Sequence, residues 1–192
     1  MLYPTALDAC LRSMRADAAR FYGPSQGQPL GTGLVVRDCV VATPHPAEVR
    51  FQTGVGLGLI ITHECDVDQN NNRFFNDLVL VCPIISLDNF CASCEEEEGI
   101  GAWGGILPAI ASDSVYRAMY LPPLPAGWPC PIEMEGGGII YLNHISPSRV
   151  EWFTDVAGKA ICTLSAIGLR AFDFKFKNHL FREKATELWF TR

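Results

Sequence analysis

Residues 57–68 read LGLIITHECDVD, and this stretch decides how the fold is predicted. Its first half is a continuous run of apolar and β-branched residues, which is typical of a strand buried on both faces. Its second half turns polar abruptly and holds His63, Cys65, Asp66 and Asp68. Imidazole, thiol and carboxylate groups bind metals, transfer protons or act as nucleophiles. The stretch therefore predicts a buried strand that ends in reactive side chains.

The apolar patterns on either side of this stretch predict the remaining elements. Ser165 is the predicted cap of the last helix, and Pro83 is expected to stop the strand that contains it. The predicted helices are 5–22, a short one within 108–120, and 165–190, and the predicted strands are 34–42, 48–56 (a short strand or hairpin arm), 57–65, 77–85, 136–145 and 150–156.

The order of these elements predicts an α+β fold of one domain over residues 1–192. Closely spaced apolar strands favour a small, strongly bent antiparallel β-barrel with an N-terminal and a C-terminal helix. Residues 86–135 differ from the rest because they are rich in Gly and Pro and contain an acidic run. This segment is predicted to be a long insertion within the barrel, outside its regular sheet.

Composition narrows the classes of function. The chain has 192 residues, 48% of them hydrophobic, and a formal net charge of −6. A large nucleic-acid interface is disfavoured because such interfaces are basic. No run of about 20 apolar residues predicts a membrane span, and the first residues do not form a signal-peptide pattern. We therefore expect a cytoplasmic protein.

The eight cysteines fit reduced thiols or metal ligands better than disulfides in that compartment. Cys10, Cys39, Cys82 and Cys162 lie within apolar stretches, so we expect each of them to be a small buried hydrophobe. The other four cysteines remain candidates for chemistry.

Three interpretations of the HECD residues stay open. Asp66 and Asp68 are expected to hydrogen-bond the backbone of the Asn-rich turn that follows, as Asp and Asn commonly do. Alternatively, His63 and Cys65 share one face of an extended strand and supply two ligands to zinc. In the third interpretation His63 is an acid or base and Cys65 or Asp66 is its partner in catalysis.

The motif Cys91-Ala92-Ser93-Cys94 supplies half of a tetrahedral zinc site. Cys130 and one of His45, His63 or His144 could complete the set, although no spacing requires them to do so. The alternatives are a structural or unremarkable role and, less favoured, a redox pair, which would need a βαβ context. No cofactor is therefore expected, with zinc as the alternative.

The stretch LPPLPAGWPCP (121–131) has the composition of a recognition segment. Pro-rich extended segments lose little entropy on binding. Pro122, Pro123 and Trp128, together with Asp66 and Asp68, are therefore predicted to contact a partner protein. A rigid loop packed over the barrel explains the same composition.

Three pieces of the chain resemble the MazF/PemK toxin family, whose members are small half-open β-barrels with helices. The first is GLIIT (58–62), and the second is LVLVCPIIS (78–86), similar to a family strand that ends in Pro-Ile-Thr-Ser. The third is HISPSRVEWF (144–153) followed by KAICTLSAIGLRAF (159–172), similar to a strand, a Leu-Ser link and a closing helix. These pieces cover about half of the chain, in the family's order.

The resemblance implies single-stranded RNA as substrate, with a catalytic Arg before the first strand and a Thr after the Pro of the second. This sequence has Leu57 or Gly58 at the Arg position and Ile85 at the Thr position, which leaves only Ser86. RNA cleavage requires a cation for the phosphorane and a proton shuttle. The resemblance therefore implies a related barrel that has lost the nuclease activity.

The prediction that follows is a non-catalytic MazF/PemK-like barrel. It would act through a protein partner in a bacterial stress, toxin–antitoxin or phage-defence system, CRISPR-associated systems included. The first alternative is an endoribonuclease or other hydrolase that uses His63, Cys65, Asp66 and Ser86. The second is a structural protein held together by zinc at Cys91, Cys94, Cys130 and His63.

Overall fold

The computed structural model describes residues 18–44, 49–71, 77–99, 103–111, 114–128, 130–131 and 134–181. The strands are β1 (Tyr22–Gly23), β2 (Leu34–Pro44), β3 (Phe51–Ile60), β4 (Leu78–Ser86), β5 (Ala118–Leu121), β6 (Gly138–Tyr141), β7 (Ser146–Arg149) and β8 (Ala160–Leu164). The helices are α1 (Ala18–Phe21), α2 (Glu64–Val67), α3 (Leu87–Glu98), α4 (Trp103–Ala111), α5 (Val156–Lys159) and α6 (Ala166–Phe181). This α+β composition confirms the predicted class.

The described strands form one antiparallel sheet in the order β1-β8-β2-β3-β4-β6-β5. Two strands share the other edge of β4, because β7 pairs with its first half and β6 with its last three residues. Over the described residues no backbone ladder joins the two ends of the sheet, so the prediction of a barrel is wrong.

The sheet nevertheless curls, and two buried serines of β7 explain how. Ser148 Oγ donates a hydrogen bond to Val40 O (2.7 Å), and Ser146 Oγ accepts one from Ala42 N (3.3 Å). A bulge in β2 next to Asp38, whose φ is 55°, adds to the bend. In a closed barrel a backbone ladder would join β2 to β7. Here the hydroxyl groups of the two serines join these strands instead.

Three apolar clusters hold the sheet. On one face, α6 packs on the central strands and buries Phe172. On the other face, the curled strands β2, β3 and β4 enclose Val36, Ile60 and Val81. At the far end of that second face, α3 and α4 cover β5 and β6 around Phe90. This last cluster positions the cleft that is described below.

The predicted arm 48–56 and strand 57–65 are one strand, β3, which ends at Ile60. The strand cannot continue because Thr62 Oγ1 accepts the hydrogen bond of Leu80 N (2.6 Å) in place of a backbone carbonyl. The chain then bends, and α2 follows. The prediction that the strand extends to Cys65 is therefore wrong.

Pro83 does not stop β4, which runs through it to Ser86. Leu80 directs its backbone groups toward β3, so the alternating pattern directs those of Pro83 to the opposite edge. At that edge the pairing with β7 ends at Val81 and the pairing with β6 begins at Ile84. The missing N–H of Pro83 therefore faces a position with no ladder bond to lose.

Segment 86–135 contributes more to the sheet than expected. Its strand β5 pairs with β6 over four residues, so the expectation that the whole segment lies outside the sheet is wrong. The helices α3 and α4 precede β5, and Trp103 Nε1 donates to Glu95 Oε1 (2.6 Å) between them. The predicted helix within 108–120 corresponds to α4, which begins earlier.

Two predictions for the C-terminal part of the chain have opposite outcomes. Ser165 caps α6 as predicted, since its Oγ accepts hydrogen bonds from Ile167 N and Gly168 N (3.2 Å each). The predicted strand 150–156 is wrong, because that stretch begins with a 3-10 helix (Val150–Phe153) and the strand there is β7.

Most of the predicted helix 5–22, Cys10, His45, and residues 182–190 of the predicted last helix lie outside the described residues. Within the described part of the chain, none of the helices has the length and apolar character needed to cross a bilayer.

Candidate functional site

The HECD turn, residues 63–68, is built around the short helix α2. His63 is its N-cap, and His63 Nδ1 accepts a hydrogen bond from Cys65 N (3.2 Å). A Cβ on Gly31 would lie 2.9 Å from Glu64 Cβ, so the turn packs tightly on the loop before β2. The imidazole therefore stabilises the first turn of α2.

The HECD turn also contains a group of side chains with metal-binding atoms. The ligand atoms of His63, Glu64 and Cys65 lie within 4.8 Å of one another, which within the described residues is the one group of three such side chains. However, a nitrogen that accepts a hydrogen bond must be unprotonated, so the proton of a neutral His63 is on Nε2. Neither nitrogen is then free to bind a metal unless the helix cap is broken.

The Asn-rich end of the turn is also held by hydrogen bonds. Asp68 Oδ1 accepts from the backbone N and from Nδ2 of Asn70 (2.9 Å each). Asn71 Nδ2 donates to Cys65 O (2.6 Å). This arrangement matches the turn-capping interpretation for Asp68. The backbone N of Asp66 donates to His63 O (2.9 Å).

The positions that the resemblance relates to catalysis are packed into the fold. Leu57 is buried, and a Cβ on Gly58 would collide with Val81 Cγ1 and lie 3.0 Å from Cys39 Sγ. Ser86 is the N-cap of α3, because its Oγ accepts from Asn89 N (3.1 Å). Ile85 is half-buried against the cluster under α3.

The four residues of the proposed zinc set are not gathered among the described metal-ligand groups. Cys91 and Cys94 lie on the buried side of α3, and burial, followed by the neighbouring Cys94, raises the pKa of Cys91 to about 11. Cys130 is exposed and lies beside Ala160 and Ile161 of β8. His63 lies at the end of β3.

The Pro-rich stretch packs on the sheet. Pro122 is buried, and its carbonyl accepts the hydrogen bond of Tyr22 Oη (2.6 Å). Trp128 packs against the cluster under α6, and Pro123 is half-buried. These contacts match the rigid-loop alternative for this stretch.

A polar cleft of about 390 Å³ opens where α3 meets the ends of β5 and β6. A 3-10 helix, Leu142–His144, forms one wall. The volume of the cleft is within the range of small-molecule sites. The polar cleft is lined by Ile85, Phe90, Ser93, Cys94, Glu97, Arg117, Tyr141, Asn143 and His144.

The floor of the polar cleft is aromatic. The rings of Tyr141 and His144 are stacked at 5.3 Å with an interplanar angle of 27°. The ring of Phe90 lies 6.0 Å from that of Tyr141. Cys82, buried on the opposite face of the sheet, donates from Sγ to Tyr141 O (3.0 Å). The floor is therefore supported from beneath by the core.

Six polar groups of the cleft make no hydrogen bond or ion pair with another described residue. This holds, over the described part of the chain, for Ser93, Glu97, Arg117, Asn143, the Tyr141 hydroxyl and the His144 ring. Ser93, Glu97, Arg117 and Asn143 are exposed to solvent, and Tyr141 and His144 are half-buried. Six such groups around one cleft are therefore available to a ligand.

Burial shifts the pKa values of two residues in the floor of the cleft. It lowers the pKa of His144, which favours the neutral imidazole. It also raises the pKa of Tyr141, an effect to which Cys94 and Glu97 add and which Arg117 opposes. The charges of Glu97 and Arg117 thus both act on the Tyr141 hydroxyl.

The sequence analysis missed the polar cleft as a site. Of its lining residues it had singled out Cys94 and His144, as possible zinc ligands, and Ile85, as the position of a lost Thr. Arg117, Tyr141 and Asn143 carry no motif, and they meet only because β5 pairs with β6. A signal was present in the Tyr-Leu-Asn-His run that ends the predicted strand 136–145.

A second exposed feature is the β2–β3 arm, residues 40–44 and 51–56. Cross-strand pairing places Val40, Ala42, Phe51, Thr53 and Val55 on one face of this hairpin. Phe51 is 71% exposed and Val55 is 69% exposed. The arm therefore presents an apolar face to solvent.

Comparison of the chain with family models, with curated proteins and with solved structures gives no match.

Proposed function

We propose that the protein is a non-catalytic binding module that takes up an extended segment of a partner protein along the β2–β3 arm. One observation carries this proposal. Among the described residues, β4 pairs with β3 only from Leu57 to Ile60, so the same edge of β3 has no partner strand over residues 51–56. A free strand edge beside an apolar face is the usual template for strand addition.

The backbone donors of this edge can be assigned. Ile61 N donates to Leu80 O of β4, whereas Ile60 O accepts from Gly33 N on the opposite side of β3. Backbone groups of successive residues in a strand point alternately to its two edges. The N–H groups of Thr53 and Val55 therefore point to the free edge, where a partner strand would accept their hydrogen bonds.

The absence of catalysis in this proposal rests on the residues at the positions that the resemblance relates to the nuclease. Leu57 and Ile85 are apolar, Gly58 has no room for a side chain, and Ser86 caps a helix. In this proposal the chain is a MazF/PemK-like protein that acts in a bacterial stress, toxin–antitoxin or phage-defence system through protein contacts. The net charge of −6 agrees with a partner other than nucleic acid.

A pair of substitutions at one position tests the arm. Thr53→Pro removes an N–H from the free edge without affecting the ladder to β2, whereas Thr53→Ala keeps that N–H. The tagged full chain and both variants are purified from the native host, and bound proteins are quantified by mass spectrometry. We expect a partner that is retained by the native chain and by Thr53→Ala and is lost from Thr53→Pro.

Equal recovery of every bound protein with Thr53→Pro, in a variant whose circular dichroism is native, would contradict the proposed arm interface. Phe51→Ser provides a second variant, which removes apolar contact and keeps every backbone donor. We expect it to weaken binding of the same partner.

The enzyme alternative has its own test. The pure protein is incubated with single-stranded RNA beside His63→Ala and Ser86→Ala variants. We expect no cleavage by any of the three proteins. Cleavage by the native chain that one substitution abolishes would overturn the non-catalytic proposal, whatever the arm binds.

A further inference from the structure

The polar cleft contains two opposite charges that are not paired with each other. Glu97 and Arg117 both line it, and they form no ion pair with each other or with another described residue. The guanidinium nitrogens of Arg117 and the carboxylate oxygens of Glu97 are therefore more than 4.0 Å apart. A ligand with one positive and one negative group can satisfy both of them.

The aromatic floor restricts the ligand further. The half-buried, mutually stacked rings of Tyr141 and His144 line the cleft and favour contact with a flat ring, and buried Phe90 lies beside Tyr141. Because burial lowers the pKa of His144, its ring is neutral near pH 7 and adds no positive charge to the site. The charged contacts therefore come from Glu97 and Arg117, and the ring contacts from the floor.

We propose that the polar cleft binds a free aromatic or heteroaromatic α-amino acid. Its carboxylate would lie at Arg117, its ammonium at Glu97, and its ring against Tyr141 and His144. Asn143 and Ser93 complete the site, because an amide and a hydroxyl can each donate to or accept from the backbone end of the ligand. A cleft of about 390 Å³ accommodates a ligand of this size.

Simpler ligands leave part of this site unsatisfied. An inorganic anion would pair with Arg117 and be repelled by Glu97, and a simple cation would meet the reverse arrangement. An apolar ligand would remove all six polar groups from water without giving them partners, which is unfavourable. The proposal goes beyond the partner interface, because it concerns a separate surface of the molecule.

The test is isothermal titration of the purified full chain with L-phenylalanine, L-tyrosine, L-tryptophan and L-histidine. We expect one of them to bind saturably with one site per chain. Three probes lack one part each: phenethylamine lacks the carboxylate, 3-phenylpropionate lacks the ammonium, and glycine lacks the ring. Each is expected to bind at least about tenfold more weakly, since each loses a charge-assisted bond or the ring contact.

Variants locate the binding in the cleft. Arg117→Met and Glu97→Gln are each expected to raise the dissociation constant by about tenfold or more. Their matched controls are Arg170→Met and Glu135→Gln, exposed positions outside the cleft, which should leave it unchanged. Thr53→Pro should also leave it unchanged, which separates a failure of this site from a failure of the arm.

Two results would overturn the proposal. The first is no saturable binding of any of the four amino acids up to about 10 mM, a weak limit for a pocket of this size. The second is binding that neither Arg117→Met nor Glu97→Gln weakens although both variants keep the native circular dichroism spectrum.

Discussion

The HECD turn and the polar cleft contain the same kinds of side chain and use them differently. In the turn, His63 caps a helix, Asp68 closes an Asn turn, and Asn71 binds a backbone carbonyl. In the cleft, Asn143 and His144 make no hydrogen bond within the described structure. Reactive residue types therefore identify neither region as a site. His63, Asp68 and Asn71 of the turn are hydrogen-bonded to neighbours in the chain, whereas the polar side chains of the cleft are not bonded to one another.

This difference has a physical origin. The residues of the turn are neighbours in the chain, so local hydrogen bonds form at little entropic cost and consume their polar atoms. The residues of the cleft come from α3, the start of β5 and the end of β6, and they are placed by packing of the sheet. Polar groups that are brought together without bonding one another remain available for a ligand.

The largest expected effect concerns the thiols of the two regions. Cys65 of the turn is exposed, whereas Cys82 is buried beneath Tyr141. Burial raises the pKa of Cys82 from 9.0 to about 12, and it does the same for Cys162. As pH rises above 9, the unfolded chain loses these protons and the folded chain keeps them. The free energy of unfolding should therefore fall by about 1.4 kcal/mol per pH unit for each thiol.

Urea unfolding at about pH 8 and about pH 10 measures this loss. Cys82→Ala should reduce the dependence on pH by the share of one thiol, and Cys65→Ala should leave it intact. An equal reduction of the pH dependence by Cys65→Ala and Cys82→Ala would contradict the distinction between the exposed and the buried thiol.

A smaller effect is expected for the hydrogen bonds of the turn. His63→Ala removes the cap of α2, and Asp68→Ala removes the acceptor for Asn70. Each should lower the free energy of unfolding by about 1 kcal/mol, because each leaves backbone donors without a partner. Urea titration checks this, with Ser93→Ala in the cleft as the control that should change it by less than about 0.5 kcal/mol. A native-like stability for His63→Ala would remove the structural role of the turn.

A still smaller effect is expected from His144 at acid pH. Burial lowers the pKa of this imidazole in the folded protein below its ordinary 6.5. As pH falls below 6.5, the unfolded chain takes up the proton first, so this contribution to stability is present above that pH and is lost below it. His144→Phe keeps a ring beside Tyr141 and should reduce the loss of stability between about pH 7 and pH 5. An unchanged dependence of stability on acid pH would contradict a half-buried, neutral His144.

No effect is expected from zinc, since ligation at the HECD turn would break the cap that His63 provides. Elemental analysis of the purified chain should find no stoichiometric zinc, and added zinc should not raise the melting temperature. One equivalent of bound zinc that His63→Ala or Cys65→Ser removes would reverse the interpretation of the turn.

Local patterns in the sequence predicted part of this fold and little of the cleft. Continuous apolar runs located β2 and β4, and Ser165 located the start of α6. Helix α3 was missed because its sequence, with CASC and four glutamates, has only a weak apolar stripe. That stripe becomes clear only when Phe90 packs against β6 and α4.

The position at which β3 ends could likewise not be predicted from local sequence patterns. The sequence indicated an extended strand to Cys65, and periodicity alone gives no reason to stop it. The side chain of Thr62 ends the strand by taking the place of a backbone acceptor, a choice that depends on Leu80 of the next strand. Predictions that rest on contacts across the sheet were therefore the ones that failed.

Two asparagines allow the most direct test of the central claim. Asn71 and Asn143 are both exposed and both lie in 3-10 helices, but only Asn71 makes a hydrogen bond, to Cys65 O at 2.6 Å. The measurement is the free energy of unfolding in urea of Asn71→Ala and Asn143→Ala beside the native chain. We predict a loss of about 1 kcal/mol for Asn71→Ala and a change of less than about 0.5 kcal/mol for Asn143→Ala. Equal losses, or a larger loss for Asn143→Ala, would contradict the distinction between a structural turn and an available cleft.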